Sequence, residues 1–113
     1  MIYGVNMQNI ENKLYKDGMT AILVSPGYGA GWSTWMPSYP ECVFDPVLAQ
    51  MVIDDVDYQQ MLEYCEMRYP DAYYGGLEDI EIQWLKPGTL FRINEYDGSE
   101  SVEVLDEVNW MMA

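Results

Sequence analysis

Two kinds of hydrophobic spacing organise the chain. From Thr20 to Val24 the residues are apolar or β-branched without interruption and stop at Ser25-Pro26-Gly27, the pattern of a short strand buried on both faces. In the last third the spacing is two. Ile80, Ile82 and Trp84 alternate with Glu81 and Gln83, Phe91 and Ile93 alternate with Arg92 and Asn94, and Val102 and Val104 follow. Asp97-Gly98 predicts a two-residue hairpin turn. With those two residues at its centre, Arg92 falls opposite Glu103, Ile93 opposite Val102 and Phe91 opposite Val104, one opposite-charge pair and two apolar pairs. The same register sets Glu95 opposite Glu100, a like-charge pair that should cost stability. Treating Pro87-Gly88 as a second two-residue loop places Trp84 opposite Phe91 and Ile82 opposite Ile93. The expectation is an antiparallel meander of three strands, joined by Thr20–Val24, with Ile80, Ile82, Trp84, Phe91, Ile93, Val102 and Val104 on one face.

Helical spacing appears in three places. Asn6 would cap a short helix with Met7, Ile10 and Leu14 on one face and Gly18 as its left-handed C-terminal cap. Because Met19 follows at once, residues 1–18 are expected to be an N-terminal extension, with a single α+β domain over 19–113. Pro37, Tyr39 and Pro40 argue against regular structure. Asp45-Pro46 opens a helix with Leu48, Met51 and Val52 inward. A second helix runs from Asp57 to Tyr69 before Pro70, with Tyr58, Met61, Leu62, Cys65 and Tyr69 at helical spacing and Gln59, Glu63 and Glu66 opposite. Asp54, Asp55 and Asp57 crowd its start, where carboxylates oppose the helix dipole. The predicted class is α+β: an antiparallel sheet of three to four strands with one or two helices on one face. No internal repeat, low-complexity tract or linker interrupts it.

Charge changes the functional picture. The chain carries 19 acids against 5 bases, no histidine and a formal net charge of −14. Direct binding of nucleic acid or an anionic membrane is disfavoured, because the phosphate term would be repulsive. Catalysis with a histidine base is excluded. So is a zinc site, since Cys42 and Cys65 form no C-x-x-C pair. Both cysteines read as small buried hydrophobes. The absence of a signal peptide or long apolar run points to the cytosol. Asp54, Asp55 and Asp57 lack the Gly and terminal Glu of a calcium loop. No cofactor is expected.

The stretch Met19–Pro40 has no charged side chain. Gly27, Gly29 and Gly31 alternate there with Tyr28, Ala30 and Trp32 after a strand, which invites a phosphate-loop reading. The spacing puts Trp32 where a dinucleotide fingerprint needs its third glycine, and no Lys or Arg lies between Lys16 and Arg68. Tyr28, Trp32 and Trp35 either pack in the core or line a ligand pocket.

From Glu41 to Glu81 there are 11 acids (Glu41, Asp45, Asp54, Asp55, Asp57, Glu63, Glu66, Asp71, Glu78, Asp79 and Glu81), and only Arg68 opposes them. Interleaved with Tyr64, Tyr69, Tyr73 and Tyr74, such a surface imitates a row of phosphates with stacking groups. The alternative is a solvated acidic face.

At GYGAGWSTW and again at WLKPGTLFRINEYDGSESVEVLDEVNW, the chain resembles a family of small uncharacterised bacteriophage and prophage proteins, over about Met19 to Trp110. They share a strand leading into a Gly-Trp loop and a Gly-Thr-x-Phe-x-Ile-x-Glu-Tyr-Asp-Gly-x-Glu hairpin. The resemblance implies a virus-encoded accessory protein acting in the bacterial host cytoplasm, and transfers no catalytic residue. By class-level analogy, small acidic phage proteins include inhibitors that imitate DNA.

The leading expectation is therefore a non-enzymatic, anti-defence inhibitor that occupies a basic groove on a host or defence protein through Asp54, Asp55, Asp57, Glu63 and Glu66. The alternative is a small-ligand binder using Tyr28, Trp32 and Trp35 in the Gly27–Trp35 loop. An enzyme built on paired carboxylates is a third reading. The apolar tail Trp110-Met111-Met112 would suit a dimer in any of these.

Overall fold

The computed structural model describes residues 12–27 and 31–105. Its organising element is strand β2 (Met19–Val24), in which every residue after Met19 is buried. Alternate side chains of a strand point to opposite faces, so β2 needs two covers. Ala21 and Leu23 enter one cluster, with Trp32, Cys42, Leu48, Cys65, Tyr69 and Leu77. Ile22 and Val24 enter another, with Val43, against which Phe44, Leu85, Phe91, Ile93 and Val102 pack.

Two helices supply the first cover. Helix α1 (Pro46–Ile53) starts at Asp45, whose carboxylate accepts the Leu48 N–H at 2.9 Å. Helix α2 (Tyr58–Arg68) starts at Asp57, which accepts the Gln60 N–H at 3.0 Å. Both predicted helices are present, and Leu48, Met51, Val52, Met61, Leu62, Cys65 and Tyr69 lie in or against the core. Tyr58, expected on the inner face, is 42% exposed. Pro40 opens a 3₁₀ turn (Pro40–Phe44) rather than an irregular stretch.

Strand β3 (Glu81–Leu85) pairs antiparallel with β2, placing Trp84 opposite Ala21 and Ile82 opposite Leu23. Strands β4 (Phe91–Tyr96) and β5 (Ser99–Val104) form a separate two-stranded sheet. Their register is the expected one: Arg92 opposite Glu103, Ile93 opposite Val102, Phe91 opposite Val104, and Glu95 opposite Glu100. Asp97 and Gly98 have φ of 51° and 85°, as a two-residue hairpin requires. Arg92 Nε donates to Glu103 Oε1 at 2.6 Å. Bonds from Asn94 and from Arg92 hold the Glu103 carboxyl below its ordinary range.

The continuous meander does not form, and Trp84 and Ile82 do not face Phe91 and Ile93. At Lys86-Pro87-Gly88-Thr89 the Thr89 N–H donates to Lys86 O at 3.1 Å and Gly88 takes φ 85°. Proline followed by a left-handed glycine makes a type II turn, whose twist splays the flanking strands instead of pairing them. The β4–β5 hairpin is thereby free to lay Phe91, Ile93 and Val102 on the second face of β2. The structure is α+β; among the described residues it has antiparallel sheets of three and two strands, with α1 and α2 on one side of β2.

A second correction concerns Gly18. Asp17 (φ 54°) and Gly18 (φ 79°) are the centre of another two-residue hairpin turn, not a helix cap. They join β1 (Tyr15–Lys16) to β2, with Tyr15 opposite Thr20 and Lys16 opposite Met19. Leu14 packs against the main core and its carbonyl accepts the Ala21 N–H at 2.9 Å. The rest of the proposed N-terminal helix, including Met7 and Ile10, and the tail Trp110-Met111-Met112 lie outside the described residues.

Candidate functional site

The five acids singled out from the sequence are all exposed, but they play different local roles. Asp57 alone opposes a helix dipole, as the N-cap of α2. Asp54 and Asp55 terminate α1 instead. The Val56 N–H donates to Met51 O at 3.0 Å and the Asp55 N–H to Val52 O at 3.2 Å, a Schellman closure in which Asp55 takes φ 54° where glycine is usual. Their charges therefore sit at the negative end of α1, which is electrostatically unfavourable. The expectation that the whole Asp cluster stabilises the second helix is corrected on this point: the turn between the helices is long enough to leave two of its acids on the preceding one. Glu63 and Glu66 lie one turn apart on the outer face of α2, and Gln59 Nε2 reaches Glu63 at 3.5 Å.

Of the 11 acids between Glu41 and Glu81, Asp45 is buried and Glu41 is paired with Arg68 at 3.1 Å. The remaining nine form no ion pair among the described residues, where the other bridge is Arg92–Glu103.

Among the described residues two carboxylates are interior, and neither forms an ion pair. Asp45, 4% exposed, accepts the Leu48 N–H, the Tyr64 hydroxyl at 2.8 Å and the Tyr69 hydroxyl at 2.5 Å. Burial, reinforced by this carboxylate, pushes both tyrosine hydroxyls far above their ordinary range, so they remain proton donors. A cavity of about 160 Å³ opens here, lined by Glu41, Asp45, Tyr64, Arg68 and Tyr69 among others. Arg68 stacks over the Tyr69 ring at 4.7 Å.

Glu100, 2% exposed, turns inward from β5. Its Oε1 accepts the Ser25 N–H at 3.0 Å. Its Oε2 accepts the Trp32 N–H at 2.8 Å, the Thr34 N–H at 3.0 Å and the Thr34 hydroxyl at 2.5 Å. The Glu100 N–H donates back to Ser25 O at 2.8 Å. Hydrogen bonds to an ionised acceptor are the strong ones, and here they substitute for a counter-charge. Paired with Glu95 across the strands, Glu100 thus has a task that cross-strand pairing alone does not suggest. Glu95 stays exposed and accepts the Gly98 N–H at 2.6 Å.

The aromatic loop divides. Trp32 is fully buried and its indole N–H donates to Cys42 O at 2.9 Å. Tyr28 lies outside the described residues. Trp35 is 37% exposed and lines an open cleft of about 380 Å³ with Pro37, Tyr39, Pro70, Asp71 and Tyr73. Pro70, Asp71 and Tyr73 carried no pocket signal in the sequence, because the cleft arises where two distant loops meet.

Both cysteines are unoxidised and fully buried. Burial, with smaller contributions from Asp45 and Glu66, pushes the Cys65 thiol up to about 12. In the native protein at mildly alkaline pH, Cys65 should react with a thiol-specific disulfide reagent on the order of a thousandfold more slowly than free cysteine. Rapid native modification at Cys65, scored by mass spectrometry, would contradict this packing. Among the described residues no group of three or more His, Cys, Asp or Glu side chains converges to hold a metal ion, and no helix is long and apolar enough to cross a membrane. No family model, curated protein or solved structure matches this chain.

Proposed function

We propose that this is a non-enzymatic binding protein whose acidic face occupies a basic, nucleic-acid-binding groove on a bacterial host or defence protein, consistent with the phage-protein resemblance. The observation that carries the reading is the run of nine exposed acids from Asp54 to Glu81 with no cation paired to them among the described residues. Two of them are held at a cost: Asp54 and Asp55 add negative charge at the negative end of α1, and Asp55 also occupies left-handed backbone. A surface serving solubility alone would not need acids at those positions.

The test is capture from a bacterial lysate at low and high salt, with partners identified by mass spectrometry. Basic proteins should be retained at low salt and released at high salt, and the pair Asp55→Lys with Glu63→Lys should lower retention about tenfold or more. Asp55→Gly should weaken capture while raising the unfolding free energy by about 1 kcal/mol, because glycine relieves the left-handed strain. Retention unchanged by salt or by charge reversal would remove the basis of the proposal.

The second reading, capture of a small ligand by the aromatic loop, is favoured by Trp35 at the mouth of its cleft and finds no support at Trp32, whose ring is enclosed.

A further inference from the structure

We infer that the cleft lined by Trp35, Tyr73 and Asp71 accepts a guanidinium group, the head of an arginine side chain presented by a basic protein partner. The inference deepens the proposed function by naming an anchor point, and it rests on that reading for the partner's identity alone.

The cleft is built by two loops that glycines allow to touch. A Cβ on Gly76 would collide with the Gly31 carbonyl, and one on Gly75 with the Tyr73 ring. A Cβ on Gly31 would come within 2.6 Å of the Trp35 indole. These three positions must therefore lack a side chain for the rings to sit where they do. Tyr39 fixes the other end, donating its hydroxyl to Pro70 O at 2.9 Å and packing edge-on to Tyr69 at 5.2 Å between centroids.

Between these anchors Trp35 and Tyr73 form a tilted pair, centroids 5.5 Å apart and planes at 38°. Trp35 is 37% and Tyr73 48% exposed, so part of each ring's surface faces the cleft and solvent. Indole and phenol faces attract cations, most strongly in the case of indole, and guanidinium also stacks flat on them. Asp71 lines the same cleft and supplies the carboxylate that a guanidinium fork would meet. It does so at φ 63°, a conformation that glycine would adopt without strain. No lysine or arginine lines the cleft, and the chain as a whole is at −14. Charge complementarity selects a cation over the other occupant such a groove suits, a neutral proline-rich segment.

The experiment titrates the full chain with N-acetyl-arginine amide and follows tryptophan indole N–H signals by NMR. The Trp35 signal should shift saturably and that of buried Trp32 should not. Asp71→Asn should weaken binding about fivefold, and N-acetyl-lysine amide should bind more weakly than the arginine probe. A neutral oligoproline peptide should leave Trp35 unmoved. Saturation by oligoproline, absence of an arginine response at Trp35, or an Asp71→Asn variant that binds as well as the parent would each overturn the inference. The pair Asp55→Lys with Glu63→Lys separates it from the acidic-face reading. It should lower salt-dependent capture about tenfold or more while preserving the arginine shift. Capture without an arginine shift would sink the cleft and spare the face.

Discussion

Replacing Glu100 with alanine should lower the unfolding free energy by about 4 kcal/mol, and the melting temperature by on the order of 20 °C. Its carboxylate accepts the backbone N–H groups of Ser25, Trp32 and Thr34. A buried donor left without an acceptor costs about 1–3 kcal/mol, and alanine orphans two of them, at Ser25 and Trp32, with the half-buried Thr34 N–H besides. Glu100→Gln should cost about half as much. Its amide oxygen can serve the three donors that converge on Oε2, but its NH₂ then faces the Ser25 N–H, donor against donor. Glu95→Gln, on the opposing strand but exposed, should shift stability by only a few tenths of a kcal/mol. Thermal and denaturant unfolding of the three variants distinguishes them. A Glu100→Ala protein that melts with the parent would mean that the loop is held by something else.

The second large effect belongs to Asp45. Asp45→Ala removes the N-cap of α1, worth about 1 kcal/mol, and strands the Tyr64 and Tyr69 hydroxyls, for a total of about 3–4 kcal/mol. Tyr69→Phe, which removes one donor and leaves Asp45 two others, should cost less than half of that. The same arrangement sets an alkaline limit. The folded protein holds the Tyr64 and Tyr69 protons well above the ordinary tyrosine range of about 10, through burial first and Asp45 second. The stability this contributes is fully present below about pH 10 and is lost as pH rises beyond it, because the unfolded chain ionises first. Tyrosinate absorbance should therefore show the Tyr64 and Tyr69 signals appearing only as the protein unfolds. Complete titration of every tyrosine in a still-folded protein would be inconsistent with these bonds.

The elements with local signatures were readable from the residues: the Asp45-Pro46 and Asp57 helix starts, and the Asp97-Gly98 turn with its whole register. The broken meander has one cause. A strand as apolar as Thr20–Val24 is buried on both faces, yet a single helical layer can cover only one. The missing layer is the β4–β5 hairpin. Its apolar side chains were available, but alternation along a strand does not say whether it extends a sheet or packs on another. Pro87-Gly88 held the answer in its turn type. Asp17-Gly18 was the same dipeptide class as Asp97-Gly98, and was obscured by helical spacing before it. Around the cleft, Trp35 was visible as an aromatic near glycines, whereas Asp71 and Tyr73 become neighbours of it only through the Gly31–Gly76 contact. The acids Asp54, Asp55, Asp57, Glu63 and Glu66 were readable as surface. Their division between the end of one helix and the start of the next was not.

The bonds to Glu100 also impose an order on folding. They span 75, 68 and 66 positions along the chain, from Ser25, Trp32 and Thr34. Contacts so distant in sequence close late, since the intervening loop must first lose its freedom. During synthesis the helical half can collapse onto β2 while the backbone from Ser25 to Thr34 still lacks its acceptor. A ribosome-bound chain stopped before Ser99 would carry the Trp35 wall of the cleft without the clasp behind it. Protease cleavage near Trp32 in such a chain, vanishing once β5 has emerged, would time the moment at which the binding surface sets.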